Sequence, residues 1–385
     1  MTRNNAAPLD AGATMENSLF QHFSLGPLRL TNRVAVAPMT RVSATSDGRA
    51  TPEMADYYAG FAAGGFGLIF TEGVYTDKAY AQGYLNQPGL TDADQVAAWR
   101  AVTDAVHAAG VPIIAQLMHA GALAQGNIHR ADTIGPSAVR PVGKQMAFYG
   151  GEGAYLLPRS ANLDDLAEVI AGFAAASVNA REAGFDGVEI HGANGYLLHQ
   201  FLSEDANLRD DDYGGCTAAR ARLTAQVIAA VRRAVGPSYP LGVRVSQSKV
   251  NDFGHRWSGG VVDAETVFRA CAEVGSDFIH TTQFEAWAPG FGEGTPTMAA
   301  MARAATGLPV IANGSLHDPG RARDLLASGD ADLVSLGRGA LGAADWPDRV
   351  RAGQSPEPYD AAVLQPRATL ANADAWRRGR AETTS

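Results

Sequence analysis

Cysteine is nearly absent from this chain: among 385 residues only Cys216 and Cys271 occur, far apart and in no C-x-x-C pair. The sequence can therefore build neither a disulfide framework nor a four-cysteine cluster of its own, and any redox chemistry has to come from a bound organic cofactor. Basic runs are absent as well. With 31 Lys and Arg against 40 Asp and Glu, the net charge is -9 and the pI ≈ 5.5, a balance that repels a phosphate backbone and argues against a nucleic-acid partner. Long apolar runs are also missing: no stretch approaches the roughly eighteen apolar residues of a membrane span, and the polar start MTRNNAAPLDAGATMENS has no continuous apolar core. A cytoplasmic protein without a membrane partner is expected.

What the chain has in quantity is glycine, 43 residues in a composition 46% hydrophobic and 18% charged, which suits a large core joined by many tight loops. Short apolar runs alternate with longer Ala-rich amphipathic segments. The strand candidates are 33–39, 67–73, 111–119, 187–193, 241–247, 277–283, 309–314 and 332–337. The helix candidates are 52–64, 92–109, 163–183, 217–235, 263–274, 297–306, 318–328 and 345–352. Eight strand–helix alternations, each strand apolar enough to be buried on both sides, predict a parallel (β/α)₈ TIM barrel, with a doubly wound sheet as the competing architecture. One barrel domain is expected over 18–365, flanked by polar tails at 1–17 and 366–385 that are flexible or serve contacts between subunits of a monomer or homo-oligomer. The Gly-, Pro- and aromatic-rich segment 121–160 has no helical period and reads as a loop insertion after strand 3, over the barrel mouth.

"LVSLGRGALG" places Gly337, Gly339 and Gly342 in the G-x-G-x-x-G spacing of a dinucleotide site. Its context contradicts that reading. The motif follows the last strand instead of opening a βαβ unit, and Glu357, at about the right distance, lies in the Pro-rich SPEPYD with no strand before it. A Gly-rich turn after strand 8, beside IANGSL after strand 7, is instead where barrels form a phosphate cradle from glycine N–H groups and a helix N-terminus, and Arg338 adds a cationic fork.

Barrel enzymes carry their reactive groups at the carboxyl ends of the strands. Here those ends present Pro38, Met39, Thr40 and Arg41; Thr71, Glu72 and Gly73; Gln116 and His119; His191 and Asn194; Arg244; and Gly314, Gly337 and Arg338. Together with "LTNRVAVAPMTR", "GYLNQPGLTDADQVAAWRAVTDAVHAAG", "AQLMHAG", "HGANGYLLHQFL", "DDYGG" and "GVRVSQ", the chain from about 18 to 350 resembles the Old Yellow Enzyme family of FMN-dependent, NAD(P)H-driven ene reductases.

The resemblance implies FMN across the barrel mouth, its phosphate on Gly314, Gly337 and Arg338. Thr40 would then tune the flavin near O4 and Gln116 would meet its pyrimidine edge, while Pro38, Met39 and Gly73 would touch it through backbone. Arg244 has a physical role of its own, since reduction leaves negative charge near flavin N1 and C2=O that a permanent cation stabilises. His191 and Asn194, three apart where strand 4 ends, can converge on one carbonyl oxygen and stabilise an enolate. Tyr196, two residues further, overhangs the same spot as a phenol able to protonate the α-carbon from the face opposite the hydride. The substrate implied is a small activated alkene, an enone or relative, reduced in a ping-pong cycle through flavin N5. Desaturation or isomerisation on the same scaffold, or flavin binding without turnover, are the alternatives.

Glu189 and His191 share a strand face and, with His119, could be imagined as ligands of a zinc barrel; His119, His199 and Glu72 otherwise read as braces. Two departures from the family bear on substrate range. Ala122 stands where the family's strand 3 loop has Arg, and the strand 5 loop SKVNDFGHRWSGG carries bulky Phe253, His255, Arg256 and Trp257. Relatives that also hold an iron–sulfur cluster are excluded by the two cysteines.

Overall fold

The computed structural model describes residues 18–384. Eight strands, β1 (Val34–Val36), β2 (Leu68–Tyr75), β3 (Ile113–Met118), β4 (Gly187–Asn194), β5 (Leu241–Lys249), β6 (Phe278–Thr282), β7 (Val310–Asn313) and β8 (Leu333–Leu336), pair in parallel and in chain order. The circle closes where Val334, Ser335 and Leu336 meet Val34, Ala35 and Val36. This is a (β/α)₈ TIM barrel. All eight residues of β2 are buried, as expected of a parallel strand covered on both faces.

The helices are α1 (Pro52–Ala63), α2 (Ala93–His107), α3 (Leu163–Glu182), α4 (Leu197–Leu202), α5 (Thr217–Val235), α6 (Val261–Glu273), α7 (Met298–Thr306), α8 (Pro319–Ala327), α9 (Arg338–Gly342), α10 (Trp346–Arg351) and α11 (Leu370–Thr384). Their starts are written in the sequence. Asp92 accepts the Gln95 N–H at the head of α2, Asn162 and Asp165 form a reciprocal capping box on α3, and Asp318 accepts the Arg321 N–H on α8.

Inside the barrel a small apolar cluster of Ala35, Leu68, Phe70, Ile114, Phe278, Ile311 and Leu333 fills the amino-terminal end of the strands. Leu25 and Leu30, from an antiparallel hairpin (Phe23–Leu25 with Leu28–Leu30), pack into it and stopper that end. Only the carboxyl ends of the strands are left to form a site. Above this layer the interior turns polar.

Segment 121–160 is irregular over most of its length, with single 3₁₀ turns at Gly121–Leu123 and Ala147–Tyr149 and a two-residue pairing of Ile134–Gly135 with Arg159–Ser160. The stretch from 366 corrects the expectation of a tail. It carries α11, whose Leu370 and Ala373 are buried, and the buried Arg41 donates to the carbonyls of Ala368 and Thr369 at 3.0 and 3.3 Å. The guanidinium ties this segment to the end of β1. The expected tail at 1–17 lies outside the described residues. Among the described residues no helix is long and apolar enough to cross a membrane.

Gly242 faces Phe278 in the β5–β6 register, and a Cβ there would fall 2.1 Å from the Phe278 ring. Gly242→Ala should therefore cost about 1–3 kcal/mol of stability by overpacking. Urea unfolding reads this directly, and a wild-type midpoint would contradict it.

Candidate active site

The strand ends bring the expected residues into one continuous arc around the barrel mouth. Pro38, Met39 and Thr40 follow β1, half-buried, and Met39 Sδ lies 3.7 Å from where a Cβ of Gly337 would stand after β8. Gly73 on β2 sits opposite Gln116 on β3, Gln116 opposite Glu189 on β4, and His191 opposite Arg244 on β5. Tyr196, where α4 begins, packs its ring 5.0 Å from that of His191.

Beneath the arc a buried polar chain crosses the barrel. Gln116 Nε2 donates to Glu189 Oε1 at 2.8 Å, His280 Nδ1 meets Glu189 Oε2 at 2.6 Å, and His280 Nε2 meets Ser335 Oγ at 2.7 Å. A carboxylate only accepts, which fixes every partner. Gln116 turns its amide nitrogen inward and keeps its carbonyl oxygen for the mouth, while His280 carries its proton on Nδ1 and accepts the Ser335 hydroxyl on Nε2. Burial holds His280 below the usual imidazole range against the pull of Glu189, so its ring is neutral.

Arg244 is buried beside this chain. Its Nη2 donates to Asn313 Oδ1 at 2.8 Å and Thr282 Oγ1 at 3.2 Å, while its Nε has no partner among the described residues. Burial lowers its pKa and the Glu189 charge opposes this; a guanidinium starting from 12.5 stays cationic. His191 Nδ1 is likewise buried without a partner, and burial, then Arg244, then His280, push the imidazole well below its ordinary value. His191 is thus a neutral donor. Asn194 takes a left-handed backbone, φ 62°, at a break in the β4–β5 register, with its N–H on Ser246 Oγ at 2.8 Å.

A cleft of about 730 Å³ opens between the ends of β4 to β8 and takes in Asn194, Thr282, Asn313, Gly314, Gly337 and Arg338. Gly314 has φ 145°, and a Cβ would fall 2.2 Å from the Gln283 carbonyl oxygen, so the turn itself requires glycine there. Arg338 is exposed, donates to Ser315 Oγ at 2.6 Å and lies over the Phe284 ring at 5.4 Å. His191, Tyr196, Gln116, Gly73, Pro38, Met39 and Thr40 do not line this cleft; they continue the arc beyond its end.

The sequence profile described as the NADH:flavin oxidoreductase / NADH oxidase family matches residues 18–357. The chain belongs to that flavoenzyme family. It is 34% identical over 353 residues to a chanoclavine-I aldehyde reductase of Penicillium roqueforti, covering 90% of this chain and 92% of that protein. It is 31% identical over 354 residues to an NADH oxidase of Thermoanaerobacter brockii, of which it spans about half, 52%. Among solved structures, the old yellow enzyme homologue from Zymomonas mobilis superposes with a TM-score of 0.82 at 31% identity, covering 92% and 98% of the two chains. Morphinone reductase in complex with tetrahydroNAD gives 0.82 at 30% identity, covering 93% and 96%.

Membership of this flavin oxidoreductase family makes the cofactor FMN, and the neighbouring morphinone reductase is solved with tetrahydroNAD. The residues present fit FMN. Gln116 commits its amide nitrogen to Glu189, which leaves its oxygen as an acceptor, Arg244 has an orphaned guanidinium nitrogen, and the cleft ends in Gly-rich turns and a cation suited to a terminal phosphate.

Tyr84, Thr282, Asn313, His280 and Ser335 carry no local sequence signal, because what places them at the barrel mouth is a partner 22 to 112 residues away. Glu189, weighed as a metal ligand with His191 and His119, is engaged by Gln116 and His280; His119 instead accepts the Gly121 N–H at 3.1 Å. Glu72 and His199 act as braces: Glu72 accepts the Arg41 N–H at 2.9 Å while burial pushes its carboxyl up to about 7, and His199 accepts the Gly195 N–H at 3.0 Å.

Glu189→Gln keeps the shape but cannot accept from both Gln116 and His280, leaving one buried donor unpaired at about 1–3 kcal/mol. Urea titration of the variant should show that loss, and wild-type stability would contradict the chain as drawn.

Proposed function

We propose that this chain is an ene reductase acting on α,β-unsaturated carbonyl compounds in a ping-pong cycle, NAD(P)H and alkene using one pocket in turn. When bound, FMN supplies a hydride acceptor and donor at N5. The observation that carries the reading is the juxtaposition of His191 and Tyr196, ring against ring at the end of the arc, one a neutral imidazole with an unpartnered nitrogen and the other a protonated phenol. Names of relatives support the substrate class: aldehyde, morphinone and 12-oxophytodienoate reductases recur among them.

In this reading His191 and Asn194 hold the substrate carbonyl oxygen, and the negative charge that gathers there as the β-carbon is reduced falls on two preorganised donors. A neutral His191 suits the task, because it donates a hydrogen bond without surrendering its proton to the enolate. With FMN bound, Arg244 would stabilise the negative charge that reduction leaves on the ring, and Gln116, its amide nitrogen committed to Glu189, would offer its carbonyl oxygen to a ring N–H. Pro38, Met39, Thr40 and Gly73 form the wall beside the ring. Gly314, Gly337 and Arg338, which line one cleft, would hold the FMN phosphate. Tyr196 protonates the α-carbon. Burial pushes this phenol well above its ordinary range, so it keeps its proton at every working pH.

Tyr196→Phe preserves the ring and removes that proton. Anaerobic stopped-flow should find flavin reduction by NAD(P)H near normal and reoxidation by cyclohexenone slower by about a hundredfold, the scale of a lost general acid. Unchanged reoxidation would return the α-proton to water or another side chain.

A further inference from the structure

Tyr84 is the residue that the reading above does not use and that the geometry joins most directly to it. It lies in the loop after β2, and that loop is held rigidly. The Gly83 N–H donates to Gln87 Oε1 at 2.7 Å, the Gly83 carbonyl accepts the Gln125 and Gly126 N–H groups at 2.9 and 3.1 Å, and Gln82 Nε2 donates to the Tyr84 carbonyl at 3.1 Å. The Tyr84 side chain is fully buried, in one cluster with Val42, Met118, Leu123, Tyr155 and Tyr196, and its ring lies 4.6 Å from that of Tyr149. Its hydroxyl is hydrogen-bonded to the Tyr196 hydroxyl.

We propose that Tyr84 is a positioning residue for the proton donor: it gives its own O–H to the Tyr196 oxygen, aims the Tyr196 proton into the mouth and steadies the phenolate left when that proton departs. The proposal rests on Tyr196 being the acid of an ene reductase.

Counting protons decides the direction of the bond. Two hydroxyls share one hydrogen bond, so one proton of the pair is left over, and among the described residues neither oxygen has another partner. If Tyr196 were the donor, the leftover proton would sit on Tyr84, at 0% exposure and with no acceptor, a buried unmade bond that folded proteins avoid. With Tyr84 as donor the leftover proton sits on Tyr196, which is 5% exposed and packed against His191 at the mouth. The same bond acts oppositely on the two phenols: it draws Tyr196 back down against its burial and pushes Tyr84 further up. Tyr196 is the member of the pair prepared to lose a proton.

In the step itself the Tyr196 O–H bond breaks and a C–H bond forms at the α-carbon of the enolate. The electron pair of the broken bond stays on the Tyr196 oxygen, where the Tyr84 O–H already points, and solvent returns the proton once the product has left. The negative charge thus passes from a carbonyl oxygen held by His191 and Asn194 to a phenolate held by Tyr84, without at any stage being buried unpaired.

The test compares holoenzyme of the parent, Tyr84→Phe, Tyr196→Phe and the double variant in anaerobic reoxidation of the reduced flavin. With cyclohexenone, Tyr84→Phe should slow the step about tenfold, the value of one charge-assisted hydrogen bond, at unchanged enone affinity and with a larger solvent deuterium isotope effect. In the Tyr196→Phe background the same substitution should add nothing. Ferricyanide takes electrons and needs no proton on carbon, so it should reoxidise all four at one rate. Normal reoxidation of Tyr84→Phe by the enone, or a tenfold loss that persists in the double variant, would overturn the proposal and leave Tyr84 a packing residue. If Tyr196→Phe itself reoxidises normally, the donor assignment fails first and this proposal with it.

Discussion

The Glu189 carboxylate, buried in the barrel interior between an amide and an imidazole, is the constraint on which the site depends. Because it can only accept, it turns Gln116, sets the tautomer of His280 and through it engages Ser335, so that β3, β4, β6 and β8 are joined across the interior by three hydrogen bonds. A buried charge of this kind is costly unless it is fully paired and faces an opposite charge. Arg244, on the strand next to Glu189, supplies that charge, and each makes the burial of the other tolerable. The Arg244 cation and the orientation of the Gln116 amide at the barrel mouth are therefore consequences of one interior arrangement.

The barrel separates two kinds of interior to make this possible. At the amino-terminal end Phe70, Phe278 and the hairpin residues Leu25 and Leu30 exclude water and leave no room for a ligand. One layer higher the same strands present Gln116, Glu189, His280 and Ser335, and above those the groups proposed to meet cofactor and substrate. Charge is graded to match. Arg244 is cationic, burial keeps the His191 imidazole neutral, and burial keeps the Tyr196 phenol protonated, which is the grading the proposed reaction would call for.

Much of the architecture is legible in the sequence because parallel barrel strands are buried on both faces and so read as apolar runs; β4 and β5 begin where their runs begin, at Gly187 and Leu241. Strand β1 is shorter than its run, since Pro38 has no N–H to continue a ladder. Helix α11 is not legible in the sequence because it is polar and only a few residues, Leu370 and Ala373 among them, are buried, with Arg41 holding its approach from more than 300 residues away. In the site, His191, Asn194 and Tyr196 are legible because they fall within one compact motif. Tyr84 lies within a legible motif that assigns it no role, because its partner lies 112 residues on and only the fold brings the two hydroxyls together.

The central claim, that one flavin pocket passes a hydride from NAD(P)H to an activated alkene, is tested most directly by anaerobic titration of the purified FMN enzyme. One equivalent of NAD(P)H should bleach the flavin absorbance. One equivalent of cyclohexenone should then restore it and yield cyclohexanone in equal amount. Bleaching that the enone does not reverse, or colour restored without saturated ketone, would contradict the account.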